Sequence, residues 1–351
     1  MNCLKNYPLA ELTTFKIGGA ARFYVKADSA VSVYEAVEFA KQQGVPFYVL
    51  GGGSNLLISD RGYDGLIIHM ANKESHTATV GDSVYKTCGA GVVWDSFVSE
   101  CINENLFGVE CLSGIPGTVG AAPVQNIGAY GQSVESLIYE VIVVDTADGS
   151  IARFTNAECK LSYRKSLFNS EAFGKYIIVI VKFVLKRDGK LNIRYHDLEK
   201  YFQEGTREGT NVTLQDVRAA VLQIRARKGM LQLDGYSRFK CAGSFYKNPV
   251  ISTGHFDQIM GVVDASPSDR NWYWAQSHSS EVKLSAAYLI EKCFGKGFRK
   301  GRVGLSPNHT LAIVNYEDAT FSEVIDFAKL IEDTLYERFK VTLEREVQVL
   351  Q

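Results

Sequence analysis

The sequence predicts an α+β protein with two or three compact lobes, and three observations support this class. The chain has 351 residues, which at roughly 150 residues per domain indicates more than one domain. Hydrophobic residues make up 46% and charged residues 22%, which is typical of globular proteins rather than disordered or fibrous ones. Helical and strand periodicities are mixed along the chain, without a repeat or a heptad run.

The first 70 residues predict a βαβ-like unit. Ser29 precedes an amphipathic helical pattern that ends at Gly44, as an N-cap and a C-terminal glycine would require. Apolar strands at 47–50 and around 66–69 flank the glycine cluster at 51–55. We therefore expect this cluster on a strand-to-strand connection.

The middle of the chain predicts a helix, a long loop and a group of strands. The helix carries Trp94, Val98 and Ile102 on one face, and the loop runs from Ser113 to Gly131. Strands are expected at 137–144, 151–154 and 176–185.

A second helix and a domain boundary are expected further along. Thr213 and Asp216 form a capping-box pattern before a helix that Gly229 ends. The boundary is placed near this glycine.

The last part of the chain predicts a helix around 283–293, a strand at 311–314 and a helix at 321–339. An alternating strand is expected from 341 to 350. Its apolar residues Val341, Leu343, Val347 and Val349 would share one face, with Glu344 and Glu346 on the other.

Charge and cysteine content narrow the possible partners and the compartment. Lys and Arg number 38 against 39 Asp and Glu, a net charge of −1, so no global field favours nucleic acid or an anionic membrane. The seven cysteines form no C-x-x-C pair, which favours a reducing cytosol over a disulfide framework. Residues 1–10 lack an apolar signal segment and no run of about 18 apolar residues occurs. We expect a cytoplasmic protein.

Several familiar site motifs are absent. The sequence contains no G-x-x-x-x-G-K-[ST], no G-x-G-x-x-G after a strand, no H-E-x-x-H and no G-x-S-x-G. The six histidines are scattered and none pairs with Cys or carboxylate at ligand spacing. No metal site is predicted.

Two glycine-rich loops are the positive signals. In 51–55, consecutive glycines let backbone N–H groups form an anion nest around a pyrophosphate, and Ser54 and Asn55 add side-chain donors. A tight turn is the alternative, which the triplet alone favours. The second loop, 113–131, favours a binding site over a simple turn, because two glycine-rich loops suit a long, flat cofactor with phosphates. A structural Ω-loop is the alternative there, and an extended dinucleotide is the preferred interpretation.

Two polar clusters, 163–168 and 242–249, lie in apolar surroundings. They offer a guanidinium, a hydroxyl, an ammonium and an amide, and a guanidinium matches a carboxylate or phosphate with two parallel hydrogen bonds. By spacing alone, each cluster is more often a solvated turn.

Taken together and in order, these motifs closely resemble the UDP-N-acetylenolpyruvoylglucosamine reductase (MurB) family over almost the whole chain. The matching stretches are T-F-K-I-G-G-A-A at 14–21, the loop at 51–55, G-I-P-G-T-V-G at 114–120, Q-N-I-G-A-Y-G at 125–131, Tyr163-Arg164, G-S-F-Y-K-N-P at 243–249 and E-R-E-V at 344–347.

The resemblance implies a fold and a division into domains. The expected fold is an FAD-binding domain of the vanillyl-alcohol-oxidase (PCMH) type in two subdomains plus a C-terminal α+β substrate-binding domain, which accounts for the missing Rossmann pattern. The implied division is 1–70 for FAD-binding subdomain 1, 71–227 for subdomain 2, rejoined by 340–351, and 228–339 for the substrate-binding domain.

The resemblance also implies a reaction in peptidoglycan precursor synthesis, and hence a role in cell shape and division. NADPH reduces bound FAD, which passes hydride to the enolpyruvyl methylene of UDP-N-acetyl-3-O-(1-carboxyvinyl)-glucosamine, and an acid protonates the adjacent carbon to give UDP-N-acetylmuramate. A UDP-sugar is the only partner implied, with no nucleic acid, membrane or obligate protein partner.

The site residues follow from the family motifs. Ser244 corresponds to the proton donor, and Arg164 and Glu346 complete the catalytic set. Arg164 could stabilise the enolate-like intermediate, with Glu346 as a proton-sharing partner and Lys247 as a cation near the serine. The implied FAD-binding residues are Leu50, Gly51, Gly52, Gly53, Ser54, Asn55, Ser113, Gly114, Ile115, Pro116, Gly117, Thr118, Gly120, Ala121, Gln125, Asn126, Gly128 and Ala129.

The implied substrate-binding residues include Tyr195, which falls where one subclass of the family has an extra loop with a substrate-binding tyrosine. The others are Tyr130, Tyr163, Lys228, Asn248 and His309. Arg225 and Arg227 compete with Lys228 for the diphosphate.

The chain departs from the family pattern at two positions beside the catalytic residues. Tyr246 replaces the usual second Phe of G-S-F-F-K-N-P, and Arg345 replaces the proline often found in E-P-E-V.

Two other functions stay open on sequence alone. One is an FAD-dependent oxidase of a sugar or hydroxy acid, although the loops 51–55 and 113–131 lack the His that such oxidases often use to bind FAD covalently. The other is a non-catalytic nucleotide-sugar binding protein, against which the retained Ser244, Arg164 and Glu346 argue.

Overall fold

The protein is described here by a computed structural model, and the structure describes residues 1–205, 211–233, 235, 239–263, 272–275 and 280–351. No helix within these residues is long and apolar enough to cross a membrane.

The first region is a mixed sheet with one helix packed on it. Its elements are β1 (Leu4–Pro8), β2 (Ala20–Ala27), α1 (Ala30–Gln43), β3 (Phe47–Leu50), β4 (Leu56–Ile58) and β5 (Tyr63–Met70). The strand order is β1-β2-β5-β3, and β2 and β3 both run parallel to β5. The predicted βαβ-like unit is confirmed, with a capping box at Ser29 and a left-handed Gly44 at the helix end.

The second region is built on an antiparallel sheet of order β11-β10-β12-β7-β6. Its strands and helices are β6 (Ser75–Val80), β7 (Ser83–Gly89), α2 (Trp94–Asn103), β8 (Gly128–Ala129), β9 (Gln132–Ser133), β10 (Ile138–Asp145), β11 (Ile151–Thr155), β12 (Tyr176–Lys186), α3 (His196–Gly205) and α4 (Leu214–Arg227). The predicted helices and strands of this region are confirmed, including the capping box of Thr213 and Asp216.

One hydrophobic core joins the first two regions. α1 contributes Val33 and Val37, α2 contributes Trp94 and Val98, and β12 contributes Phe183, all essentially inaccessible to solvent. Burial of side chains from both regions in one cluster favours their packing as a single unit.

The third region is built around a long helix, and its core also includes Phe15, Ile17 and Leu57 of the first region. Its elements are β13 (Val250–Ser252), α5 (Thr253–Met260), β14 (Tyr273–Ala275), β15 (Glu281–Leu284), α6 (Ala286–Phe294), β16 (Arg299–Lys300), β17 (Val303–Leu305), β18 (Ile313–Asn315), α7 (Phe321–Phe339) and β19 (Gln348–Leu350). α7 begins after the capping box of Thr320 and Glu323 and has the predicted bounds.

Part of the predicted helix at 283–293 is a strand. Residues 281–284 pair with β13 and β14 as β15, and the helix starts only after Ser285, whose side chain accepts from Tyr288 N–H. The alternation in E-V-K-L buries Val282 and Leu284 on one face, which suits a strand.

The predicted terminal strand is shorter than expected and pairs with a different part of the chain. Val341, Leu343 and Val347 are buried as predicted, but only 348–350 is a strand, and Val349 is only partly buried. This strand runs parallel to β4, so the chain end returns to the first subdomain, whereas the sequence placed it with the second. This pairing gives hydrogen-bond partners to the backbone groups at the edge of the short strand β4. The sequence did not predict this pairing.

Candidate active site

The two glycine-rich loops lie against each other. An ideal Cβ on Gly52 would be 2.7 Å from Gly117 Cα, and one on Gly51 would be 2.8 Å from Thr118 Oγ1. Gly53 has φ +60°, and a Cβ there would be 1.9 Å from the Leu12 carbonyl oxygen. These positions have no room for a side chain, so each of them requires glycine.

Both loops line a single cavity of about 690 Å³. It extends from the end of α1, near Lys41 and Tyr48, to Ser244, Arg164 and Glu346. The predicted FAD-binding residues on its wall are Leu50, Gly51, Gly52, Gly53, Ser54, Asn55, Ile115, Pro116, Gly117, Thr118, Gly120, Ala121, Gln125, Gly128 and Ala129.

Three of the predicted FAD-binding residues lie behind this wall instead. Ser113 is fully buried and its hydroxyl donates to Glu110 O, while Asn126 donates to Glu135 and to Ser162 O. Gly114 is held by the neighbouring helices, as described next. The family motifs could not separate these supporting positions from wall positions, since both belong to the same loop.

Three charged side chains that the sequence gave no role in the loop hold the second loop in place. Asp95 Oδ1 accepts from Gly114 N–H at 2.6 Å, and Arg218 donates to both Asp95 oxygens at 2.7 Å. Arg225 donates from Nε to Gly114 O at 3.0 Å and from Nη2 to Met230 O at 3.3 Å. Arg225 is buried in these contacts.

Arg164 and Glu346 form an ion pair at one end of the cavity. Arg164 Nε lies 2.7 Å from Glu346 Oε1, with 22% of the arginine and 14% of the glutamate side chain exposed. The N–H does not point along this line, so the Nε atom is buried without a hydrogen-bond acceptor. The same guanidinium donates to Gly128 O at 3.2 Å.

The backbone and the charge state of these residues are both unusual. Arg164 has φ +56°, and the nearby Asn126 and Tyr130 have φ +42° and +49°. Such left-handed conformations at non-glycine residues cluster at functional sites. Burial raises the pKa of the Glu346 carboxyl despite the Arg164 guanidinium beside it, so this carboxyl holds a proton more readily than an exposed glutamate.

The structure brings Tyr130, Tyr195 and Lys228 together. The two tyrosine rings meet edge to face at 5.4 Å, and Lys228 Nζ lies 5.7 Å from the centre of the Tyr130 ring. Lys228 Nζ is also 2.6 Å from Asp197 Oδ2. Arg227, its neighbour in the chain, is exposed to solvent, whereas Lys228 lies beside Tyr130.

His309 lies close to this cluster and is neutral at pH 7. Burial lowers its pKa to about 4, with a smaller contribution from Lys228. Its Nδ1 accepts from Leu311 N–H at 3.4 Å, which leaves the proton on Nε2 for donation to a ligand.

Tyr163 and Asn248 line a second cavity of about 640 Å³, which shares Arg164 and Glu346 with the first. Asn248 Oδ1 accepts from Ala286 N–H at 3.0 Å, and this leaves its amide group as a donor. Lys283, which the sequence did not single out, lies with Nζ 3.9 Å from the Tyr163 ring centre. Burial lowers its pKa, and Arg164 adds to the effect. The alternating strand pattern at 281–284 is the sequence signal that could have singled out Lys283.

The cavity fits an extended dinucleotide such as FAD. Its volume is within the range of about 300–1,000 Å³ for small-molecule and cofactor sites, and its wall contains both glycine-rich loops. The described residues contain no group of three or more His, Cys, Asp or Glu that could hold a metal ion. Residues 21–155 match the family model described as FAD binding domain. Fold and cavity therefore define an FAD-binding flavoprotein.

Residues 235–350 match the model for the UDP-N-acetylenolpyruvoylglucosamine reductase C-terminal domain. The chain is 37% identical to the UDP-N-acetylenolpyruvoylglucosamine reductase of Thermobifida fusca (strain YX), covering 97% of this chain and 96% of that protein. It is 36% identical to that of Streptomyces coelicolor, covering 98% and 89%. The chain belongs to the UDP-N-acetylenolpyruvoylglucosamine reductase (MurB) family.

A solved structure supports the fold assignment. The crystal structure of UDP-N-acetylenolpyruvylglucosamine reductase (MurB) from Thermus caldophilus superposes with a TM-score of 0.66 at 24% identity, covering 100% of this chain and 98% of that one. The fold is thus a PCMH-type FAD-binding domain followed by the C-terminal domain of this family.

Proposed function

We propose that Ser244, Arg164 and Glu346 carry out the FAD-dependent reduction of the enolpyruvyl ether of UDP-N-acetylglucosamine, a step of peptidoglycan precursor synthesis. The observation that carries this assignment is the buried Arg164–Glu346 pair, which lines the same cavity as Ser244 and the two glycine-rich loops. Bound FAD supplies the hydride, and NADPH is the reductant that replenishes it.

Arg164 stabilises the negative charge that develops on the substrate. Addition of hydride to the methylene carbon moves the electrons of the C=C bond toward the carboxylate, which becomes enolate-like. The guanidinium is held by Gly128 O and the Glu346 carboxyl, so it is oriented before the charge forms. Preorganised donors of this kind lower the barrier because they need not reorganise during the reaction.

Ser244 donates the proton that completes the reduction. A C–H bond forms at the carbon next to the methylene, and the proton comes from the Ser244 hydroxyl. The serine oxygen is then reprotonated, and Glu346 is suited to share in this step because burial raises its pKa. Lys247 is paired with Glu344 at 2.5 Å, so Arg164 is the cation that we assign to the reacting end.

The UDP-sugar is bound by the cluster next to the reacting end. Lys228 and the amide of Asn248 meet the diphosphate, Tyr195 and Tyr130 contact the nucleotide sugar, and neutral His309 donates from Nε2. The short α3 that follows Tyr195 packs on α4 through the buried Leu198. This contact supports an ordered arm over the substrate, as expected for the subclass with the extra tyrosine loop.

The domain division is 1–70 and 71–227 for the two FAD-binding subdomains and 228–339 for substrate binding. The core cluster around α7, built mostly from residues after 241, and the end of α4 at Arg227 support it. Residues 340–351 then link the substrate-binding domain to β4.

The variant Ser244→Ala tests the assignment. We expect NADPH to reduce the flavin at the wild-type rate, while reoxidation by the enolpyruvyl substrate slows by about 10²–10⁴-fold, as loss of a general acid predicts. Stopped-flow absorbance of the two half-reactions measures both rates. Ser322→Ala, on an exposed turn of α7, is the matched control.

Two outcomes would contradict the proposal. Equal slowing of both half-reactions by Ser244→Ala removes the proton-donor role. Purified protein without a yellow flavin absorption band removes the enzyme assignment itself.

A further inference from the structure

The two departures from the family pattern lie directly opposite each other. Tyr246 and Arg345 form an antiparallel bridge, flanked by hydrogen bonds from Lys247 N–H to Glu344 O at 2.9 Å and from Glu346 N–H to Phe245 O at 2.8 Å. The two residues are therefore a non-hydrogen-bonded pair, the closer of the two pair types in an antiparallel ladder. Arg345 directly precedes Glu346, and Tyr246 lies two residues after Ser244, so each is close in sequence to a proposed catalytic residue.

Both side chains attach to the same face of α7. Tyr246 is fully buried, and its hydroxyl donates to Ala328 O at 2.8 Å. Arg345 donates to Glu332 through Nε at 2.6 Å and Nη2 at 2.9 Å. Ala328 and Glu332 are one helical turn apart. The fork geometry fixes the guanidinium more firmly than a single contact would.

The orientation of Arg345 constrains Glu346. In an extended segment, successive side chains point to opposite sides, so an Arg345 held on α7 directs the Glu346 side chain away from the helix and toward Arg164. A proline at 345 would restrict the segment differently, by fixing its φ. Arginine lacks that restriction on φ. The ion pair between Arg345 and Glu332 restricts the segment instead, through a tertiary contact.

We propose that Glu332 is a positioning residue for the reaction: through Arg345, and together with the Tyr246 contact, it holds the two bridged segments that present Glu346 and Ser244 at the required angle. This inference rests on the proposed function of those two residues. Glu332 itself, on α7, lines neither of the two cavities and makes no hydrogen bond or ion pair with Ser244 or Glu346 among the described residues.

The variant Glu332→Gln tests the proposal. It keeps the side-chain size but removes the charge and one of the two hydrogen bonds to Arg345. We expect reoxidation by the enolpyruvyl substrate to slow about tenfold, because small misplacements of reacting groups cost one to two orders of magnitude. Reduction by NADPH and the KM for NADPH should stay unchanged.

A second variant provides a rescue. The Arg345 N–H makes neither of the hydrogen bonds that flank the bridge, so Glu332→Gln/Arg345→Pro removes no ladder bond and reinstates the residue usual in the family. The double variant should recover most of the lost rate. Glu317→Gln, which breaks the exposed Arg299–Glu317 pair of the same domain, is the matched control and should leave both half-reactions unchanged.

Amide hydrogen exchange supplies a readout independent of turnover. Exchange of the peptide containing 344–348 should be faster in Glu332→Gln than in the wild-type holoenzyme and should return toward wild type in the double variant. Wild-type exchange in Glu332→Gln, equal slowing of both half-reactions, or a double variant as slow as the single one would each overturn the proposal. A wild-type enzyme that the substrate does not reoxidise would instead refute the proposed function, and the exchange data would still decide the positioning role.

Discussion

Replacing Asp95 by asparagine would break the support of the second FAD-binding loop. Asp95 lies on α2 with 10% of its side chain exposed, and its carboxylate accepts two hydrogen bonds from Arg218 and one from Gly114 N–H. Asparagine keeps one oxygen, but its amide group then faces an arginine donor. Arg218, 17% exposed, loses its counter-ion without gaining water.

The expected cost follows from this burial. Removal of one partner of a buried ion pair typically costs about 3–5 kcal/mol, because the remaining charge stays buried and unpaired. Since both side chains keep slight solvent access, we expect the lower value, about 3 kcal/mol of unfolding free energy. The loop would also lose an anchor at Gly114, and we expect the FAD affinity to fall about tenfold, which corresponds to about 1.4 kcal/mol.

Urea denaturation of the apoprotein and titration with FAD measure the two effects. The stability difference has a defined pH dependence. Burial raises the pKa of Asp95, but hydrogen bonds from Arg218 and Gly114 outweigh it and lower the pKa below its ordinary 3.8. The carboxylate therefore stabilises the fold at pH values above the pKa that Asp95 has in the unfolded chain. The stability difference between wild type and variant should persist from about pH 7 to 5 and shrink as the pH falls below 3.8.

A matched control separates burial from charge. Glu171→Gln removes one partner of the Lys160–Glu171 pair, in which both side chains are more than half exposed, and should leave the urea midpoint unchanged. If Asp95→Asn costs less than about 1 kcal/mol, or costs no more than this control, the assignment of a supporting ion pair behind the loop is wrong.

Two further predictions concern the loop contact and the diphosphate. Gly52→Ala forces the two loops apart because its Cβ would be 2.7 Å from Gly117 Cα. We expect a loss of about 1–3 kcal/mol in unfolding free energy and weaker FAD binding, measured by titration. In the control Gly254→Ala, the new Cβ meets no atom within 4 Å, so stability and FAD affinity should be retained. Lys228→Ala should raise the KM for the UDP-sugar by at least about tenfold, as loss of a charged phosphate contact implies, while exposed Arg227→Ala should not; a KM unchanged by Lys228→Ala assigns the diphosphate elsewhere.

Local patterns predicted much of the fold because the relevant interactions are close in sequence. The capping boxes at Ser29, Thr213 and Thr320 and the left-handed Gly44 mark helix ends through contacts within four residues. The prediction was wrong only at the start of the 283–293 helix, where an alternating tetrapeptide directly precedes the helix and the two periodicities overlap. There the neighbouring strands β13 and β14 decide the conformation.

The sequence alone also indicated the FAD-binding loops, since loops that must approach a cofactor closely require glycine at fixed positions. The resemblance of its motifs to the family implied the three candidate catalytic residues. Only the tertiary structure decided which side chains support those loops. Asp95, Arg218 and Gly114 are far apart in the chain, and no local pattern links them. The same holds for the different surroundings of Arg225 and Lys228, because Arg225 is buried against Gly114 O and Lys228 lies beside Tyr130. Likewise, Tyr246 and Arg345 appear in the sequence as two unrelated departures from a motif. Their common attachment to α7 depends on a contact between segments about a hundred residues apart, and long-range packing of this kind is specified only when the whole chain has folded.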